Sequence, residues 1–316
     1  MLKTILWPAI RLMGRLSYAA KFGLISFLFM VPLVFLSGQV FYASYQSLKK
    51  TESELIAVHN IQKVMNVVYA LEDYRNNATP AVFKPNAELN AQVLQYRSAV
   101  DKQLKRTIAE IDSEELKEQL ALFENNNFDK LSIDGDARMP TLPDQFIFYQ
   151  KVIDQLYLVL NQYAQSTGLA LDSDPEIQQL LIISLTNSPA IRDAAGLGYA
   201  ASIFALIEKY LVSITYDLLN EVFDAMSAAE PDIELLTSSL EAMGLDAIAE
   251  QAKISGAGML DIQTILDEEV IVATSVTMEW ADFAVTAQPK IQALRNLDSK
   301  VLPLIAKKLQ TRLDDQ

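Results

Sequence analysis

One arginine set on an apolar helical seam has the most chemistry to offer in this chain. From Val58 the apolar positions Val58, Ile61, Met65 and Val68 recur at steps of three and four, and the same face runs on to Glu72 and Arg75. An arginine carried into a helical bundle is costly unless paired, and its planar fork suits a carboxylate or another oxyanion. Arg75 is therefore expected to hold an anionic ligand or an internal partner (Glu72 or a carboxylate of another helix), unless it lies exposed. Arg192, just after the helix start expected at Ser188-Pro189, is a second candidate of the same kind.

Other chemistry is sparse. The sequence has one histidine, His59, and no cysteine, which argues against a histidine-based zinc site and excludes disulfides. It has no Gly-x-Gly-x-x-Gly, no Walker loop and no Gly-x-Ser-x-Gly, and Gly196-Leu-Gly198 reads as a close helix–helix contact. Asp172-x-Asp174 has the oxygens for a hard cation, but a turn followed by a helix cap accounts for it better. Carboxylate runs such as Asp267-Glu268-Glu269 suit a solvated helix face. Tyr69, Tyr74, Tyr149, Trp280 and Phe283 read as core. We expect no enzyme, no metal and no cofactor.

These residues must be positioned by helices, and the first of those helices is apolar. Between Lys21 and Lys49 lie 27 residues without a formal charge, Phe22 to Ala43 at their centre. About 20 apolar residues cross a bilayer as one helix. The run is longer than the apolar core of a signal peptide, and the best cleavage site has Phe41 where a small residue belongs, so an uncleaved anchor is expected. Pro32 is tolerable within such a helix. Lys3, Arg11, Arg15 and Lys21 precede the span, and all 40 acidic residues follow it. The positive-inside rule then predicts an inner-membrane protein with a cytoplasmic N-terminus and its soluble part in the periplasm. The acidity of that part argues against nucleic acid.

The remainder reads as helix almost throughout. One helix runs from Val58 to the turn formers Asn76-Asn77-Ala78-Thr79-Pro80, a second over Ala87–Ile111, and a third over Ser113–Glu124. A loop follows to Pro143. Tyr149, Ile153, Leu156, Leu160, Tyr163 and Thr167 form the seam of the next helix. Leu171-Asp-Ser-Asp-Pro175 is the clearest boundary, with Asp174 as cap and Pro175 in the first turn. Beyond it we expect a long helix to about Ala228, a break at Glu230-Pro231, a helix over about 232–254 ended by Gly256-Ala-Gly258, and a final long helix over 260–313 with Pro289 and Pro303 as kinks. Ala194–Ile207 and Ile177–Ile191 are apolar but too short to span a bilayer. The fold class is all-α: a basic N-terminus (1–21), one transmembrane helix (22–46), and an elongated tandem of antiparallel helical bundles (47–170 and 171–316).

Several stretches resemble the N-terminal region of bacterial membrane sensors of the methyl-accepting chemotaxis receptor type. They are Arg15-Leu-Ser-Tyr-Ala-Ala-Lys-Phe22, Glu54-Leu-Ile-Ala-Val58, Tyr74-Arg75, Leu169-Ala-Leu-Asp-Ser-Asp174, Leu297-Asp-Ser-Lys-Val-Leu-Pro-Leu-Ile305 and Leu309-Gln-Thr-Arg312. Tyr74 and Asn76 stand where that family has His and Gly around the arginine, and Tyr199 stands where it often has Arg. The resemblance implies an extracytoplasmic sensor that binds a small, anionic ligand between helices, with Arg75, Tyr74, Arg192 and Tyr199 as the binding residues. It also implies a homodimer or a partner receptor. After Gln316 the family returns through the membrane to an output module. The residues here are expected to be either a length of such a receptor or a stand-alone anchor. The alternative function is a non-sensing, membrane-anchored helical scaffold or interaction protein.

Overall fold

A computed structural model describes residues 17–133, 138–209, 212–273 and 275–316, and they are helical with no strand among them. The basic residues Lys3, Arg11 and Arg15 lie outside this description.

Helix α1 spans Tyr18–Phe83, capped by Ser17. Its first half is bare: every residue from Phe22 to Lys50 is exposed, including Phe27, Phe29, Leu33, Phe35 and Phe41. The apolar window in this half has a mean hydropathy of 2.1 and no buried residue. From Thr51 the same helix is built into the core, where Val58, Ile61, Met65, Val68, Glu72 and Arg75 are buried as their spacing predicts. The other apolar run lies within Pro175–Glu208; its most apolar window has a mean hydropathy of 1.3 and is 67% buried, which makes it a core helix.

The predicted end of α1 at Asn76–Pro80 is not an end. Asn77 Nδ2 donates to the Asp73 carbonyl at 2.8 Å and Thr79 Oγ1 to that of Arg75 at 2.7 Å, so these turn formers satisfy themselves inside the helix. Helix α2 (Ala87–Glu110) returns along α1, starting from Asn86, whose side chain accepts from Glu88 and Leu89 N–H. Helix α3 (Glu114–Asn127) is capped by Ser113, and α4 (Leu142–Ser166) buries its seam from Tyr149 to Tyr163, with Thr167 half-buried.

Helix α5 (Pro175–Ile182) begins as expected, with Asp174 accepting from the Glu176 N–H at 2.9 Å. Ser188-Pro189 does not start a separate helix. The rod widens over Ile183–Asn187 and continues as α6 (Ser188–Glu208), the wider turn accommodating the nitrogen that Pro189 cannot donate. Helix α6 stops at Lys209, in the left-handed region at φ 59°, rather than running to Ala228. It stops where α1 stops: Phe204 packs edge-on against Phe83, and Glu208 pairs with Lys84 at 2.9 Å. Beyond that level α1 offers no surface to bury against.

Helices α7 (Ser213–Ala228), α8 (Glu230–Ala242) and α9 (Asp246–Leu266) follow. The turn between α8 and α9 is at Gly244, whose φ of +71° favours glycine. Gly256 and Gly258 sit inside α9 instead, where a Cβ would meet Ile233 Cγ2 at 2.5 Å and the Lys290 carbonyl at 3.3 Å. They are crossing points of α9 with α8 and α10. The expected final helix is two: α10 (Trp280–Arg295) and α11 (Asp298–Asp315), with Pro289 and Pro303 inside them.

Helix α1 packs against α2, α4, α6 and α11. The boundary at Pro175 is a helix start, but the packing does not divide there, because α6 and α11 of the second length of chain lie on α1 of the first. Nearly all the buried apolar residues form one continuous cluster. Helix α11 runs antiparallel to α1, from Asp298 beside Tyr69, through Arg312 beside Glu54, to Gln316 beside Ser47.

Candidate functional site

At mid-height, where α10 gives way to α11, three arginines and four carboxylates of four helices meet. Arg75 (α1) donates from Nη1 to Asp193 Oδ1 (α6) at 2.6 Å and to Gln150 Oε1 (α4), and its Nε reaches Asn76 Oδ1 at 3.1 Å. Its guanidinium lies 4.1 Å from the centre of the Phe146 ring. Arg192 (α6) donates from Nε to Glu72 Oε1 at 2.9 Å, from Nη2 to the Tyr157 hydroxyl at 2.6 Å, and from Nη1 to Ser188 Oγ and Asp298 Oδ2. Arg295, the last residue of α10, holds Asp73 with both terminal nitrogens, donates to the Tyr69 carbonyl at 3.1 Å, and brings Nε within 3.4 Å of Glu72 Oε2.

The electrostatics follow from burial. Glu72, Arg75 and Asp298 are almost fully enclosed. Burial works to raise the Glu72 carboxyl, but the Arg192, Arg295 and Arg75 guanidiniums together hold it below the usual carboxylate range. Asp193 and Asp298 go the other way: burial outweighs the single guanidinium that each touches and raises them. Burial, with Asp298 beside it, raises the Tyr69 phenol, and burial raises Tyr157.

Both predicted ligand arginines are thus engaged by the protein's own acids, Arg75 by Asp193 and Arg192 by Glu72 and Asp298. The internal-partner reading of Arg75 holds with a carboxylate of another helix, not with Glu72. The two tyrosines lie elsewhere. Tyr74 is buried edge-on against Tyr149 at 5.4 Å, and Tyr199 stacks on Phe283 at 5.5 Å. The four predicted residues therefore do not converge on one cavity. Arg295, Asp193 and Asp298 were missed. Their signal was a charge inside an apolar rhythm: Arg192-Asp193 within Ile177–Ile207, and Arg295 and Asp298 among Ile291, Leu294, Leu297 and Val301.

A polar cavity of about 470 Å³ opens beside this network between α1, α2 and α10. Tyr69, Asp73 and Arg295 form its inner wall, and Lys63, Arg106 and Glu110 its mouth. Three cations and two acids give it a positive balance in an acidic protein. Tyr199 lines a separate cavity of about 450 Å³ farther along the α2–α10 groove. The remaining sequence candidates have plain roles: His59 is exposed, and Asp172 and Asp174 serve a turn and a cap. Among the described residues no group of three or more metal-ligating side chains could hold a metal ion. Comparison of the chain with family models, with curated proteins and with solved structures finds no match.

Proposed function

We propose that this chain is a membrane-anchored, extracytoplasmic sensor module resembling those of chemoreceptors, in which a small polar ligand lodges between helices. One observation carries the reading: α1 runs unbroken from a bare apolar rod into the core, and α11 comes back along it to the same end. An exposed apolar surface of this extent calls for a non-aqueous partner, and its length suits a bilayer. The 470 Å³ cavity adjoins Arg295, at the joint from which α11 descends. A ligand that changes how Arg295 and Asp73 sit would shift α11 against α1, and packed helices have discrete arrangements that such a ligand can bias.

The test is a thermal-shift screen of the full chain in detergent with small carboxylates, amines and amino acids. A sensing role predicts a saturable rise in Tm, weakened by Lys63→Ala or Arg106→Ala at the mouth, neither of which touches the buried network. C-terminal reporter fusions should be active outside the cytosol and silent within it. The scaffold reading is favoured by a specific observation: Arg75 and Arg192 are already paired with internal acids. A screen without any shift would leave that reading standing.

A further inference from the structure

At the base of the bundle three elements converge: the first buried turn of α1, the Gly168–Asp172 turn after α4, and the last turns of α11. Two acids are enclosed there, Glu54 at 0% exposure and Asp172 at 1%. Arg312 grips Asp172 with Nη1 and Nη2, both at 2.8 Å, and the Asp174 N–H donates to the same carboxylate at 2.6 Å. Asp172 is therefore well supplied as an anion. Glu54 is not. Its oxygens lie 3.6 Å from Arg312 Nη1 and 3.5 Å from Lys50 Nζ, and neither receives a hydrogen bond. A buried carboxylate without donors, against a second carboxylate that has them, is a costly arrangement unless it carries a proton.

We propose that Glu54 and Asp172 form a proton-binding site, with the proton held on Glu54 and donated to Asp172, that fastens α11 to α1 when occupied. Loss of the proton leaves two like charges in one enclosed space, and the joint loosens. The other charged groups that face it are already engaged or solvated. Lys50 on α1 is half exposed. On the α5 and α11 side, Lys308 pairs with Glu176 at 2.7 Å and with Asp174 at 3.9 Å. The end of α4, residues 161–167, carries no formal charge, and its Tyr163 hydroxyl accepts from Asn60 at 2.8 Å. Burial and then the Asp172 charge push the Glu54 carboxyl up to about 7, with Lys50 opposing. The module would then report acidity near neutrality. This requires neither a small ligand nor the membrane assignment.

The chain has no cysteine, so spin labels on Ser53→Cys and Gln310→Cys are unique to α1 and α11. Both positions are exposed. Measured on the full chain in detergent, the inter-label distance should be narrow at about pH 5.5 and longer and broader at about pH 8.5, with its midpoint near 7. Glu54→Gln, a permanently neutral side chain, should stay narrow throughout. A wild-type distance that ignores pH over this range, or an identical titration in Glu54→Gln, overturns the proposal. Infrared difference spectra of the wild type supply a readout that does not depend on the variant folding. A protonated-carboxyl band should fall from about nine-tenths occupancy at pH 6 to about one-tenth at pH 8. Absence of that band at pH 6 also overturns it.

Discussion

Arg295 holds Asp73 through two hydrogen bonds, Nη2 to Oδ1 at 2.8 Å and Nη1 to Oδ2 at 3.1 Å, across 222 residues of chain. This fork ties the end of α10 to the buried half of α1 at the level where the descending rod breaks. The neighbouring Arg192 then ties α6 to both sides of the same joint, through Glu72 on α1 and Asp298 at the head of α11.

Removing Arg192 should be severe. Arg192→Ala leaves Glu72 and Asp298 buried with their main partner gone, and breaking a buried ion pair this way costs about 3–5 kcal/mol. For a helical core of this size that is a fall in Tm of roughly 10 °C. Differential scanning calorimetry would read it, and a shift within a degree or two would contradict the central role given to this residue.

Arg75 separates a structural from a ligand role. Arg75→Gln should destabilise by about 3 kcal/mol, because Asp193 stays behind without its cation. Adding Asp193→Asn should recover a large part of the loss. A double-mutant cycle without coupling would dismiss the pair as a structural unit.

Two of the close helix contacts, at Gly256 and Gly198, should respond differently to a methyl group. Gly256→Ala drives a Cβ to 2.5 Å from Ile233 Cγ2, the stiff branch of a β-branched side chain. It should cost about 1–3 kcal/mol. Gly198→Ala meets only the flexible end of Met226, which can turn aside, and should cost less. Urea midpoints of the two variants in the opposite order would be inconsistent with this packing.

Stability should fall as pH rises through neutrality. Glu54 is raised in the folded state from 4.5 to about 7, so its contribution is complete below about 4.5 and is lost as pH climbs through about 7. The loss between pH 5 and 8 is up to about 3 kcal/mol. Asp172 is held low: burial works to raise it, but Arg312 and the Asp174 N–H outweigh that. Its contribution is lost only as pH falls below the usual aspartate range. Denaturant midpoints should therefore peak on the acid side of neutrality, and Glu54→Gln should flatten the decline above it.

The sequence by itself determined what is local. Helical periodicity put Val58 to Arg75 on one buried face, the Asp174 cap and Pro175 fixed the start of α5, and Asn86, Ser113 and Thr141 close their own helix ends, all through interactions a few residues long. The uncharged run from Phe22 marked a helix that none of the described residues covers. Tertiary structure decided the rest. Asn76–Pro80 stays helical because its side chains are satisfied within a crowded core, α6 ends because α1 has ended, and Gly256 is a crossing point because Ile233 lies across it. Which acid neutralises Arg75 was open in the sequence, since charge type names a partner class and not a partner. Asp193, 118 residues away, was chosen only when α6 came to lie along α1.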